Sequence, residues 1–335
     1  MDSERLQWID SVKGVGMLLI MLVHMNAIPI GTEWLTAGYV SMFFVLSGMT
    51  FRERDNIPRD ILRKVKRLLV PYAFYTLSIV ALTAMMAIVV GKPYDIWHKL
   101  AGIAYSRRYI TPTTDETAML LNGGCAPLWF MTSLFTAYLL VYLWQWSKHN
   151  TTVITLYLIL AINAANIPCL LPWSIDMAAL GAMLIITGTH YSTSLKSDSH
   201  DHWWPLVLAV YIAMVWYNGS TNMSLSQYGD RGMASVVIFM VLAVMECWLI
   251  SVVCRKIAHT KAESVLAYVG RHSLRLMCIH MFVWLTFKDM LLSRLGEMWH
   301  WALVIVALIV IFVANHLISK ICERLKRHIP IAEYL

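Results

Sequence analysis

The chain has 335 residues, of which 59% are hydrophobic and only 14% charged, and its formal net charge is +7 at pH 7. Soluble domains carry about a quarter charged residues, so this composition excludes an ordinary soluble protein. Apolar runs of about 20 residues, each long enough to cross a bilayer, recur along the whole sequence and leave no stretch for a separate soluble domain. The sequence therefore predicts an all-α integral membrane protein in which residues 1–335 form a single transmembrane domain.

The apolar runs predict a polytopic bundle of about ten transmembrane helices. In chain order these segments are 12–30, 35–51, 68–90, 127–146, 152–168, 173–190, 205–218, 233–254, 267–287 and 300–319. Between the third and fourth, residues 91–126 form the longest stretch that does not span. A stretch of that length is seldom structureless, so we expect part of it to form an interfacial helix.

The distribution of Lys and Arg predicts the orientation of the chain. Basic residues concentrate at 52–67, at 255–261 and after position 319, and a ten-helix arrangement brings all three regions to one side. Positively charged loops stay in the cytoplasm, so both termini are expected there. This topology accounts for the net charge without a nucleic-acid partner, and basic loops near a bilayer also attract anionic membrane lipids.

Lys13 and His24 are the most informative residues of the first segment. They are eleven positions apart, which places them on one helix face about 16 Å from each other. Lys13 is then near a membrane surface and His24 near mid-bilayer, where ionisable groups are costly and usually have a partner or a task. Two interpretations remain open for His24, a hydrogen bond to a neighbouring helix or a chemical role. Acidic residues precede this segment, so we expect a retained helix and not a cleaved signal peptide.

The cysteines and histidines give no support for a metal site. The sequence contains no CxxC or HExxH motif and no paired-ligand spacing. Cys125 and Cys169 both fall at the predicted external ends of helices, and the sequence leaves open whether they form a disulfide.

The N-terminal stretch WIDSVKGVGMLLIMLVH resembles the opening of the acyltransferase 3 family of membrane O-acyltransferases. Further resemblances follow in the family's order over most of the chain: FFVLSGMTF, KVKRLLVPY, PLWFMTSLF, LLPWSIDMAALGAMLIITGTHY and YVGRHSLRLMCIH. Two positions depart from the family pattern, because Lys13 replaces the usual Arg and the Arg-x-x-Arg motif becomes Lys64-x-x-Arg67. Both changes keep the charge but replace a planar, bidentate guanidinium with an ammonium.

The resemblance implies transfer of an acetyl group from acetyl-CoA to a sugar hydroxyl, with His24 as the general base. Burial would keep His24 neutral, and a carboxylate would orient its ring; Glu246 is one candidate for that carboxylate. The phosphates of the donor are expected at a basic cluster at the cytoplasmic mouth of the first and third helices. This donor cluster comprises Lys13, Arg63, Lys64 and Arg67.

Four residues are expected on the acceptor side. Asp176 near the external end of the sixth segment either binds a sugar that stacks on Trp173 or caps the helix. His280 matches the histidine of the family's ninth segment, although a lone histidine on an apolar helix is often a satisfied interhelical donor. Glu246 is included with them as a buried acid.

The sequence thus predicts an O-acetyltransferase in a bacterial cytoplasmic (inner) membrane. Its co-substrate is acetyl-CoA, its acceptor is a glycan or lipid-linked sugar, and no metal is expected. Monomer and homodimer are both left open. The alternative is a transporter or flippase whose buried ionisable residues form a substrate or proton path, although no inverted repeat is evident.

Overall fold

The computed structural model describes residues 7–28, 33–53, 55–112, 119–121, 123–164, 166–288, 297–326 and 330–335. These ranges are mainly helical, with turns and irregular connections between the helices, and they contain no strand, only two isolated bridges. The helices, in chain order, are α1 (Gln7–His24), α2 (Met42–Met49), α3 (Ile57–Lys64), α4 (Val70–Val90), α5 (Ile96–Tyr105), α6 (Trp129–Trp146), α7 (Thr151–Ala164), α8 (Ile175–His190), α9 (Ser192–Lys196), α10 (Trp204–Asn218), α11 (Met233–Lys256), α12 (Lys261–Arg271), α13 (Ser273–Phe287) and α14 (His300–Leu325).

Within the described ranges, four helical stretches are long and apolar enough to cross a membrane. They are Ile57–Val90, Gly124–Trp146, Met233–Lys256 and His300–Leu325. Two shorter apolar helices, Thr151–Ala164 and Ser273–Phe287, accompany them. The all-helical class is confirmed, whereas the count of ten spans and the cytoplasmic position of both termini remain predictions.

The first helix is shifted from its predicted position, because it runs from Gln7 to His24 and not over 12–30. It stops in a Schellman motif. Asn26 has a left-handed backbone (φ 51°), its N–H donates to Val23 O, and the N–H of Ala27 donates to Leu22 O. This motif satisfies the last carbonyls of α1. Residues 29 and 30 of the predicted segment lie outside the described residues.

The second predicted helix, 35–51, is wrong over its first half. A 3-10 turn at Glu33–Leu35 and a series of turns precede α2, which has only eight residues. A Cβ on Gly16 of α1 would lie 2.0 Å from Met42 Cε, so α2 begins beside the middle of α1. Turns replace a helix here because the N–H of Gly38 is bound to the side chain of Glu246 at 2.6 Å.

The basic stretch before the third segment is helical and not a loop. Asn56 caps α3 by accepting a hydrogen bond from the N–H of Arg59, and Pro58 lies in the first turn, where it fits a helix. A π-helical turn, Val65–Leu69, joins α3 to α4 and closes with the N–H of Val70 donating to Val65 O. The result is one helical run of 34 residues, Ile57–Val90. Arg54 lies outside the described residues.

The predicted segment 267–287 is divided into α12 and α13 at His272. Thr260 caps α12 by accepting from the N–H of Glu263, whose carboxylate accepts from the N–H of His259 at 2.7 Å. At the other end, both the N–H and Nδ1 of His272 contact Tyr268 O. The apolar helix α13 therefore begins later than the predicted segment, and the amphipathic helix α12 precedes it.

The remaining predicted segments agree with α6, α7, α8, α10 and α11 to within a few residues, and α14 extends six residues beyond its predicted end. Part of 91–126 forms a helix as expected, α5, with Asp95 as its cap.

The chain forms two compact units. The first comprises Met1–Arg54, Ala137–Ile167 and Asp176–Ser273. The second comprises Asp55–Thr136, Pro168–Ile175 and Leu274–Leu335. Four of the predicted site residues (Lys13, His24, Asp176 and Glu246) belong to the first unit, and five (Arg63, Lys64, Arg67, Trp173 and His280) belong to the second.

Candidate active site

His24 is the last residue of α1 and is half-buried. The Schellman motif that follows fixes its position at the helix end, about 16 Å along the axis from Lys13. The C-terminus of a helix carries the negative end of the macrodipole. This field favours the positive charge that an imidazole acquires when it accepts a proton.

Lys13 pairs with a carboxylate one turn earlier on α1. Its Nζ lies 3.6 Å from Asp10 Oδ1, and the two side chains are 28% and 4% exposed. The ammonium therefore neutralises a buried acid while retaining some access to solvent. This pair was not predicted from the sequence, although the spacing of three residues on a helix allows it.

The Asp10–Lys13 turn is fixed against α12 by glycines. A Cβ on Gly14 would lie 2.1 Å from Leu266 O, and a Cβ on Gly270 would lie 1.7 Å from Asp10 O. Ser11 Oγ also donates to Glu263 O at 3.1 Å. The two backbones approach as closely as small residues allow, which is the packing typical of helices in membranes.

Glu246 is buried in the first unit and binds two donors. Its Oε2 accepts from the Tyr211 hydroxyl at 2.5 Å and from the N–H of Gly38 at 2.6 Å. Thr221 Oγ1 also donates to Ala37 O at 3.2 Å. Among the described residues Oε1 has no hydrogen-bond partner. Glu246 therefore holds the irregular segment between α1 and α2; its predicted role toward substrate stays a prediction.

Asp176 lies in the first turn of α8 and is 5% exposed. Its Oδ2 accepts from Ser226 Oγ at 2.5 Å. Ser226 belongs to the segment 219–232, in which it has a left-handed backbone. The side-chain amide of Asn218 donates to Tyr228 O at 2.7 Å and closes the same segment. Asp176 thus lies at the base of an ordered connection between α10 and α11.

The predicted donor residues of the second unit lie on the run from α3 to the π-helical turn. Arg63 Nη1 lies 2.8 Å from Asp60 Oδ1, so its guanidinium is already paired. Lys64 is half-buried and Arg67 is exposed. A π-helical turn within an α-helix often marks a functional position, and this one begins directly after Lys64.

Trp173 and its neighbour Ser174 have left-handed backbones, with φ of 55° and 58°. Three side chains of the second unit hold this turn. Trp173 Nε1 donates to Ala104 O at 2.8 Å, Thr136 Oγ1 donates to Trp173 O at 3.0 Å, and Arg107 Nη1 donates to Ser174 Oγ at 2.9 Å. The indole also packs edge-on against Phe135. Such strained, well-supported turns cluster at functional sites.

His280 is fully buried in α13. Its Nδ1 lies 3.0 Å from both Leu276 O and Met277 O of the same helix. Both partners lie on α13 itself, so these contacts are not the bond between helices that was the alternative to a substrate contact, and the role of His280 stays a prediction.

The structure brings together no metal-binding group of three or more His, Cys, Asp or Glu side chains in the ranges it describes. Cys125 and Cys169 are both free thiols. The remaining polar groups that shape the candidate site, Tyr211, Gly38 and Ser226, were missed by sequence reasoning because each acts on a residue 35 or more positions away.

Comparison with known proteins gives one finding. No curated protein and no solved structure matches the chain significantly. The profile of the acyltransferase 3 family, described as an acyltransferase domain, matches residues 6–315 and so includes α1 through most of α14. The ionisable pair on α1, the π-helical turn and the strained turn before α8 all lie within that match. The chain therefore belongs to the acyltransferase 3 family.

Proposed function

We propose that this protein is an O-acetyltransferase that moves an acetyl group from acetyl-CoA to a hydroxyl of a cell-envelope or exported glycan, or of a lipid-linked sugar. The observation that carries the proposal is the family match over residues 6–315. The matched region includes α1, which has the Asp10–Lys13 pair in its first half and His24 at its end. Membership of the family supports acyl transfer. The choice of acetyl-CoA as the donor and of a sugar as the acceptor is a further part of the proposal.

His24 acts as the general base in this proposal. It takes the proton of the acceptor hydroxyl as that oxygen attacks the thioester carbonyl, and coenzyme A leaves as the thiolate. The half-buried ring and the adjacent helix C-terminus support this role, because the imidazolium forms at the negative end of the α1 dipole.

In the proposed arrangement Lys13, Arg63, Lys64 and Arg67 bind the phosphates of the donor, and Arg63 also pairs with Asp60. We place the termini and this basic cluster in the cytoplasm, where acetyl-CoA is made, and the protein in a bacterial inner membrane. Trp173, Asp176, His280 and Glu246 belong to the acceptor half. The transporter alternative has no comparable support, since the family match indicates transferase chemistry.

The test is substitution of His24 in cells that acetylate a glycan only when this protein is present. His24→Ala is expected to lower acetyl incorporation roughly 100-fold or more, the usual contribution of a general base. His316→Ala, a change of an exposed histidine on α14, is the matched control and retains activity. A well-expressed, active His24→Ala protein would exclude the mechanism.

A further inference from the structure

Arg52 and Lys196 lie on neighbouring chain segments of the first unit. Arg52 follows α2 and Lys196 ends α9, and Ser192 Oγ donates to Met49 O at 3.1 Å, which joins the ends of these helices. Burial, and then the charge of Arg52, lowers the pKa of Lys196 below its usual range. Like charges held together in a partly desolvated place favour a bound anion.

Two cavities, of about 580 and about 570 Å³, adjoin this cation pair. Both are lined by Met183 and Thr187 of α8 and by Tyr191 directly after it; the three are spaced four residues apart and form a ridge between the cavities. Glu53, the chain neighbour of Arg52, lines the first cavity, and Leu195, the neighbour of Lys196, lines the second. Arg52 and Lys196 line neither cavity themselves, but each is the chain neighbour of a residue that lines one.

The two cavities differ in polarity. The first has Trp144, His149 and His190 in its wall, with His149 Nε2 paired to Glu53 Oε1 at 2.9 Å. The second is lined mainly by apolar side chains, with α11 the largest contributor through residues that include Met240, Met245 and Trp248. Methionine side chains adapt to chains of variable shape, so this wall suits a flexible hydrocarbon.

We propose that this region binds one diacyl phospholipid with a net negative headgroup, with its phosphate between Arg52 and Lys196 and one acyl chain in each cavity, on either side of the Met183–Thr187–Tyr191 ridge. Charge-assisted hydrogen bonds from the two cations hold the phosphate. Burial of the two chains against the apolar walls supplies the remaining affinity. The site is independent of the transfer reaction and of the identity of its substrates.

Native mass spectrometry of the purified full chain in detergent tests the site, with dioleoylphosphatidylglycerol as the probe and phosphatidylcholine and inorganic phosphate as competitors. Arg52→Gln/Lys196→Gln is expected to weaken phosphatidylglycerol binding roughly tenfold, since each cation contributes substantially to anionic-lipid binding. Thr187→Phe, which adds bulk to the wall that the two cavities share without a change in charge, is expected to weaken it as well.

Lys261→Gln/Arg271→Gln removes the same charge from exposed positions of α12 and is expected to retain binding. Unchanged binding in the Arg52/Lys196 variant overturns the proposal, and so does an equal loss in the α12 variant, which would indicate general surface attraction. Equal binding of phosphatidylcholine, or displacement of the lipid by inorganic phosphate at a similar concentration, overturns the lipid assignment.

Discussion

Gly270 and Asp10 contact each other so closely that a Cβ on Gly270 would lie 1.7 Å from the carbonyl oxygen of Asp10. No side chain fits there, because the nearest atoms are backbone and cannot turn aside. The contact joins α12 to the turn of α1 that carries the Asp10–Lys13 pair. The position of this pair therefore depends on a helix more than 250 residues away in the sequence.

Gly270→Ala is expected to separate α1 from α12 and to cost about 3 kcal/mol, the upper part of the range for overpacking. Thermal unfolding of the purified protein in detergent measures the loss. Val265→Ala, at a 64% exposed position of the same helix, is the control and should change stability by about 0.5 kcal/mol or less. Equal melting temperatures for Gly270→Ala and the wild type would show that the two helices tolerate a wider separation.

Sequence periodicity was sufficient for helices whose ends are set locally. The segments now seen as α10 and α11 were predicted to within a few residues, because continuous apolar character marks them. Sequence periodicity did not predict the structure between α1 and α2. There Asn26 adopts a left-handed backbone, and the N–H of Gly38 is bound by a carboxylate 208 residues away, a contact that no local pattern reports.

The residues of the candidate site also fall into those that the sequence predicts and those that it does not. Lys13, His24, Lys64 and Arg67 could be found because their spacing is part of a recognisable family pattern. The partners that hold neighbouring groups in place, such as Tyr211 for Glu246 and Ser226 for Asp176, come from distant segments. The sequence placed Asp176 near a helix end and Glu246 within an apolar helix, but it did not give the hydrogen bonds that they accept.

Lys13→Ala is expected to raise the KM for acetyl-CoA with little change in kcat, because it removes an attraction present in both the bound substrate and the transition state. Lys13→Arg keeps the charge, so it should retain or improve activity. Steady-state kinetics with varied donor measures both effects.

The Asp10–Lys13 pair offers a sharper control for this prediction. Lys13→Ala also removes the ammonium that lies 3.6 Å from the buried Asp10 carboxylate. In Asp10→Asn/Lys13→Ala that buried charge is gone, so a purely structural role for Lys13 predicts that the donor KM returns toward the wild-type value. A direct role with the donor predicts that it stays raised, and recovery of the KM would count against donor contact.

Lys64→Gln/Arg67→Gln is expected to weaken coenzyme A binding far more than it lowers turnover at saturating donor. The difference between this variant and the wild type should shrink at high salt, because screening weakens exposed charge interactions. Isothermal titration with coenzyme A measures the affinity. Lys320→Gln/Arg324→Gln on α14 removes the same charge from exposed positions and should bind normally. Equal affinity for all three proteins would assign Lys64 and Arg67 to membrane topology alone.

Tyr211→Phe is expected to destabilise the protein by about 1–3 kcal/mol, because it removes one of the two donors from the buried Glu246 carboxylate. Glu246→Gln is expected to lower the stability less, since the amide oxygen can still accept from both Tyr211 and Gly38.

These two variants also distinguish a structural role of Glu246 from a role in binding the acceptor. If Glu246 only holds the segment before α2, Glu246→Gln keeps both its melting temperature and its acceptor KM. If its carboxylate also binds the acceptor, Glu246→Gln melts normally while its acceptor KM rises. A Tyr211→Phe protein that melts with the wild type would show that the Gly38 N–H alone is sufficient to hold the segment.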